Sequence, residues 1–270
     1  MKNTHPKSAL SKWLEERFSM KKSTGRVLTV GLAAGAIFLA LFASIAEDVI
    51  LKEPLVQFDQ TVLQSIPAIR TPTLNIFFSF ITFLGNWQSV VFTSVVTIIL
   101  LARKKQIFTS IIFFLTLIIA EGSVILLKLG VGRARPDLLL QLVSEDNFSF
   151  PSGHTLAVTI VFGFLTYLII KNLKNTLSKI LSFFAGFTSV ILVGMSRIYL
   201  GVHYPSDVLA SMALGSFLLS IFITVSEINE RYFIFQKEKK ASLKELLAVP
   251  VLLVLFSALF YSTFIILKSA

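Results

Sequence analysis

The sequence predicts an all-α, polytopic transmembrane helix bundle, with a six-helix core and one extra C-terminal span. Three observations carry that expectation. Hydrophobic residues make up 54% of the 270, and the mean hydropathy is +0.79, beyond what a domain with a water-facing polar surface shows. Apolar stretches long enough to cross a bilayer, roughly 17–25 residues, recur at 27–46, 86–102, 107–129, 154–171, 177–198, 206–226 and 246–267. Basic residues collect in alternate connections between those stretches.

That alternation sets the topology, because Lys and Arg in short loops stay on the cytoplasmic side. Lys2, Lys7, Lys12, Arg17, Lys21, Lys22 and Arg26 precede the first span, and Arg103, Lys104 and Lys105 follow the second. Lys171 and Lys174 follow the fourth, and Arg231, Lys237, Lys239, Lys240 and Lys244 lie between the last two. A cytoplasmic N-terminus puts all four groups on one side. The expected organisation is a basic cytoplasmic tail (1–26), a six-span core (27–226), a basic cytoplasmic linker (227–245) and an additional transmembrane helix (246–270), all in the cell membrane. The net charge of +10 then serves topology and attraction to anionic lipid rather than nucleic-acid binding.

Individual stretches need separate comment. The first span carries a small-x-small pattern at Ser44-Ile45-Ala46, but its long polar leader and long apolar core point to an uncleaved anchor. Segment 73–85 is apolar but short: a re-entrant or interfacial piece, or an extension that makes the second span long and tilted. Glu121, seven residues before Lys128 on the same helix face, is an intramembrane acid and is expected to be structurally paired. The chain has no cysteine, which excludes disulfides and thiolate metal sites.

Three motifs fall on the side opposite the basic loops. Lys128-Leu-Gly-Val-Gly-Arg-Ala-Arg135-Pro136 delivers Lys128, Arg133 and Arg135 against the topological charge bias. Such cations imply a local anion, and guanidinium groups match phosphate oxygens in a bidentate way; snorkelling to lipid headgroups is the alternative. Pro151-Ser152-Gly153-His154 opens the fourth span with Ser152 as N-cap. Free N–H groups and the helix dipole make such an end an anion site. His154 in the first turn is placed to protonate a departing oxygen, unless it is simply an interfacial histidine on a capped helix.

In the third motif, Ser196-Arg197 is followed after five residues by His203-Tyr-Pro-Ser-Asp207. The four-residue spacing lets Asp207 accept from one imidazole nitrogen and leaves the other free to attack, with Arg197 as a further clamp. An interhelical hydrogen bond without chemistry is the alternative. Two of the chain's three histidines lie inside these motifs.

Taken together, Lys128, Arg135, Pro136, Pro151, Ser152, Gly153, His154, Ser196, Arg197, His203 and Asp207 resemble the pattern of the type 2 phosphatidic acid phosphatase (PAP2) superfamily of membrane lipid phosphatases, from about Phe58-Asp59 to residue 226. The resemblance implies a six-helix core with its active site near the outer membrane surface. It implies that His203 attacks phosphorus, Asp207 holds its ring and His154 protonates the leaving lipid oxygen. Lys128, Arg135, Arg197, the Ser152 hydroxyl and the Gly153 N–H would hold the phosphoryl oxygens, with no metal or other cofactor. Phosphatidic acid, phosphatidylglycerophosphate and undecaprenyl diphosphate all fit as substrates. Asp137, Glu145 and Asp146 are placed to repel or orient a second anionic group. Vanadium haloperoxidases share the constellation but are soluble. A non-hydrolytic lipid transporter or scaffold that kept the pocket is the rival of another class.

Overall fold

A computed structural model of the chain describes residues 18, 23–52, 54–232, 247, 249–255, 257–258 and 261. Among these it places eight α-helices: α1 (Ser23–Leu51), α2 (Pro54–Ser65), α3 (Pro72–Phe83), α4 (Trp87–Arg103), α5 (Ile107–Val131), α6 (Gly153–Asn172), α7 (Thr176–Tyr199) and α8 (Pro205–Tyr232). Single 3₁₀ turns lie at Ile66–Ile69 and Leu138–Leu140. The fold is all-helical, as expected. Five helices are long and apolar enough to cross a membrane, and six if α3 and α4 form one bent span.

Two helices form the centre. Half of the apolar window of α6 and 44% of that of α8 are buried, against 6% for α1. Phe113, Phe164 and Phe222, from α5, α6 and α8, meet at ring-centroid distances of 4.8, 4.5 and 5.8 Å. Lipid tails are as apolar as these side chains, so close packing rather than escape from water holds the helices together. The same logic governs α1 on α8: Gly31 lies against Thr224 and Gly35 against Ser220, where a Cβ on Gly31 would collide.

The differences from expectation have local causes. Segment 73–85 becomes α3, bent by 43° from α4. The break is a run of i→i+3 bonds, Leu84 N to Ile81 O, Gly85 N to Thr82 O and Asn86 N to Phe83 O, after which Asn86 is extended. Helix α2 has no apolar run to announce it; it is amphipathic and buries Asp59 and Leu63. Helix α8 continues to Tyr232, past 226, because Glu227 and Glu230 pair with Lys171 of α6. Glu121 corrects the expectation of a paired acid: it is exposed and makes no ion pair or hydrogen bond among the described residues. The face of α5 that carries it is turned away from the bundle.

Half of the expected seventh span, 246–267, lies outside the described residues. Those described are helical, and Val249, Leu253 and Ser257, at four-residue spacing, are buried. Ser257 Oγ is 3.1 Å from Ser89 Oγ of α4.

Candidate active site

Each motif sits where a helix begins or ends at one end of the bundle. Helix α5 stops because Gly132 takes a left-handed conformation, φ +61°, and returns its N–H to Lys128 O at 3.0 Å. The chain then runs non-helically through Arg133 and Arg135. Ser152 is the N-cap residue of α6, as the sequence suggests, but its side chain makes no capping bond. Its hydroxyl instead accepts from Thr155 Oγ1 at 3.1 Å. The first-turn N–H groups of Gly153 and His154 are therefore not consumed by a cap. The connection from α7 to α8 delivers Arg197, His203 and Asp207.

His203 is buried, and its two ring nitrogens face different groups. Nδ1 lies 3.3 Å from Asp207 Oδ2, and Nε2 lies 3.3 Å from Arg135 Nη1. A guanidinium can only donate, so Nε2 carries the lone pair and Nδ1 the proton given to Asp207. Burial pushes the His203 pKa down to about 4; Asp207 opposes the shift, and Arg197 and Arg135 add to it. The ring is therefore neutral at physiological pH.

Asp207 is held in turn. It accepts from Tyr204 N at 2.9 Å and from Arg133 Nη1 at 2.6 Å. Arg133 also pairs at 2.6 Å with Asp59 of α2, which accepts from the backbone and hydroxyl of Ser206. Both carboxylates are fully buried. Arg133 stands 4.0 Å over the Tyr204 ring. It therefore belongs to a chain of support, Asp59 to Arg133 to Asp207 to His203, and not among the cations free for an anion.

The other cations lie beside it. Arg135 is fixed by Nε to Asn147 O at 2.6 Å and Nη1 to Val202 O at 2.7 Å. Asn147 Oδ1 accepts from both Arg135 Nη2 and Lys128 Nζ at 2.6 Å. Arg197 is 2% exposed, donates to Thr82 Oγ1 at 2.7 Å, and keeps a buried Nε with no partner among the described residues. Such an orphaned donor is costly unless an acceptor is to arrive.

One acceptor already stands nearby. Glu145 lies 2.5 Å from Arg197 and 3.4 Å from Arg135. Burial alone would raise its pKa, but Arg197 and Arg135 outweigh that and hold the carboxyl below its ordinary range. The sequence places Glu145 to repel or orient a second anionic group; in the structure it lies between Arg197 and Arg135. Asp137 caps the Leu138–Leu140 turn through Leu139 N at 2.9 Å, and Asp146 is exposed.

His154 lies in electrostatic reach of Arg197, His203, Arg135 and Lys128. Its Nε2 is 2.8 Å from Asn86 Oδ1. The structure thus brings His203, Asp207, Lys128, Arg135, Arg197, Ser152, Gly153 and His154 to one end of the bundle. The sequence did not single out Asp59, Asn86 or Asn147 as site neighbours; for these the early position of Asp59 in the resembling stretch was the available signal, and Glu145 was named without its arginine partners. Among the described residues, no three His, Asp or Glu side chains gather at metal-ligand spacing.

The family model of the PAP2 superfamily matches residues 109–231, a stretch that contains all three motifs. Over that stretch the chain is similar to the PAP2 superfamily. Phosphatidylglycerophosphatase B of Bacillus subtilis is 39% identical over 114 residues, 42% of this chain and 54% of that protein. The match thus spans about half the length of that relative. An undecaprenyl-diphosphatase of Sulfolobus acidocaldarius is 29% identical over 198 residues, 70% of this chain and 88% of that protein. Among solved structures, the PAP2-type phosphatidylglycerolphosphate phosphatase from Bacillus subtilis superposes with a TM-score of 0.67 at 27% identity, covering 74% of this chain and 98% of that one. The PAP2 fold and the integral membrane character of this chain follow.

Proposed function

We propose that this chain is a metal-independent lipid phosphatase that removes the terminal phosphate of a membrane lipid phosphate through a phosphohistidine on His203. One observation carries the reading: a buried neutral histidine, oriented by Asp207, offers its lone pair beside Arg135, in a cluster where Arg197 keeps an unpartnered donor.

In the first step His203 Nε2 bonds to phosphorus as the lipid oxygen leaves, and His154 protonates that oxygen. Lys128, Arg135, Arg197, the Ser152 hydroxyl and the Gly153 N–H stabilise the charge that spreads over the phosphoryl oxygens. An arriving phosphate takes over the clamp from Glu145, since two anions cannot share it. Water then attacks the phosphohistidine, and inorganic phosphate departs.

Phosphatidylglycerophosphate or phosphatidic acid is the preferred substrate type; the names of the Bacillus subtilis relative and of the matched structure support the first of the two. Undecaprenyl diphosphate is the second reading, favoured by a match that spans 88% of the Sulfolobus acidocaldarius protein. The active site is assigned to the extracytoplasmic face. In support, Arg103, Lys104 and Lys105 after α4 and Lys174 after α6 lie at helix ends opposite the site, as the distribution of basic loops requires.

The test is phosphate release by detergent-purified protein, with EDTA present, from phosphatidic acid, phosphatidylglycerophosphate and undecaprenyl diphosphate, beside His203→Ala. Release that vanishes in the variant supports the enzyme, and the ranking names the substrate. No release from any lipid favours a transporter or scaffold, and strong inhibition by EDTA overturns the metal-free mechanism.

A further inference from the structure

We propose that Asn86 is a positioning residue for His154, which makes the break between α3 and α4 a working part of the active site. The proposal rests on the reading of His154 as the leaving-group acid. Asn86 Oδ1 can only accept, so at 2.8 Å it takes the Nε2–H of His154. Nδ1 is then the ring nitrogen that exchanges protons. The arrangement parallels His203 and Asp207, with an amide in place of a carboxylate. An amide oxygen orients the ring without adding a charge that would lock it in the cationic form.

Three features of the break support this role. Asn86 occupies the N-cap position of α4, where its side chain would ordinarily accept from a first-turn N–H; it makes no such bond and is given to His154 instead. Gly85 allows the approach: a Cβ there would stand 2.9 Å from Val193 Cγ1, 3.2 Å from Val158 Cγ2 and 3.3 Å from His154 Cβ. Any side chain would push the break away from α6 and α7. The same break reaches the phosphate clamp, since Arg197 donates to Thr82 Oγ1 at 2.7 Å. Acid and clamp are thereby fixed to one short segment.

The protons balance over a turnover. In the first half, the bond from phosphorus to the lipid oxygen breaks as His203 Nε2 bonds to phosphorus, and the Nδ1–H of the His154 imidazolium passes to the leaving oxygen. In the second half, a water oxygen bonds to phosphorus, the phosphorus–nitrogen bond breaks, and one water proton returns to His154 Nδ1. Asn86 keeps the Nε2–H throughout.

The experiment compares the full-length, detergent-purified protein with Asn86→Leu, Asn86→Ser, Asn86→Asp, His154→Ala and His154→Ala/Asn86→Leu. Substrates are phosphatidic acid, whose alkoxide needs a proton, and p-nitrophenyl phosphate, whose phenolate does not. Vanadate binding reports an intact pocket. Asn86→Leu is expected to lose about tenfold or more in kcat on phosphatidic acid, as a misplaced acid would, and much less on the aryl ester. Asn86→Ser, too short to reach the ring, shows the same selectivity. Asn86→Asp, which keeps the acceptor but adds a charge that holds the ring cationic, recovers only part of the loss seen in Asn86→Leu on phosphatidic acid, and the double variant is no slower than His154→Ala. If His154→Ala is selective but the Asn86 variants lose equally on both substrates, or if the losses multiply in the double variant, the assignment of Asn86 is overturned and the acid stands. Equal loss on both substrates in His154→Ala overturns the acid, and Asn86 with it.

Discussion

Helices α6 and α8 carry a charge cluster at each end, and the two clusters are built differently. At the end away from the site, Lys171 lies 2.6 Å from Glu227 and 2.7 Å from Glu230, Arg231 pairs with Glu227 at 3.1 Å, and Tyr167 donates to Glu227. Two cations meet two carboxylates, and the network is closed. At the site end, Arg133, Arg135 and Arg197 share Asp59, Asp207 and Glu145. Lys128 is left on the neutral amide of Asn147, and Arg197 Nε has no acceptor among the described residues. The first cluster clamps two helices together. The second has positive charge and, among the described residues, a donor to spare, as the proposed phosphate site requires. On the proposed function, charge surplus rather than the number of ion pairs separates the two clusters.

The comparison can be broken at several points. The largest effect is expected from His203→Ala, which should lower turnover by roughly 10⁴-fold or more, as removal of a triad nucleophile does; steady-state phosphate release measures it. Arg197→Ala comes next, with a loss of about 10²–10³-fold in kcat/KM, the scale of a deleted transition-state donor. Lys171→Met is the control from the opposite cluster. It should leave kcat/KM unchanged yet lower unfolding stability by about 1–3 kcal/mol, because a partly buried carboxylate loses its partner, read from thermal unfolding in detergent. An activity loss in Lys171→Met equal to that in Arg197→Ala would erase the distinction between the two ends.

Smaller effects sharpen it. Glu145→Gln keeps the shape of the clamp but removes a competing charge, so vanadate should bind about fivefold more tightly, a fraction of the several kcal/mol that like charges cost at close range; inhibition titrations decide it. His203 should titrate near pH 4 and not near the ordinary value of about 6.5. Its folded pKa is depressed, so the neutral nucleophile persists as pH falls from 6.5 and is lost only as pH passes 4. Nitrogen-15 NMR of the imidazole rings follows this directly.

The sequence exposed the bundle and the motif residues because both signals are local. A bilayer-length apolar run needs no partner, and the four-residue step from His203 to Asp207 survives folding as a contact. Support residues were hidden because their partners are remote: Asp59 meets Ser206 across 147 residues and Asn86 meets His154 across 68. Arg133 and Arg135 look alike in the chain, and only tertiary packing turns one toward carboxylates and the other toward the His203 ring. The helix start at Ser152 was legible, but the fate of its hydroxyl depended on Thr155. Glu121 went the other way: an intramembrane acid implies a partner, yet α5 turns it out of the bundle.

The central claim is that His203 carries the phosphoryl group, and rapid-quench trapping tests it most directly. Protein in EDTA is mixed with lipid labelled in its terminal phosphate, quenched in alkali where phosphohistidine survives, and digested for peptide mapping. The expected result is label on the peptide containing His203, unchanged by EDTA and absent in His203→Ala. Continued turnover by His203→Ala, or turnover of the native protein with no covalent label, would contradict it.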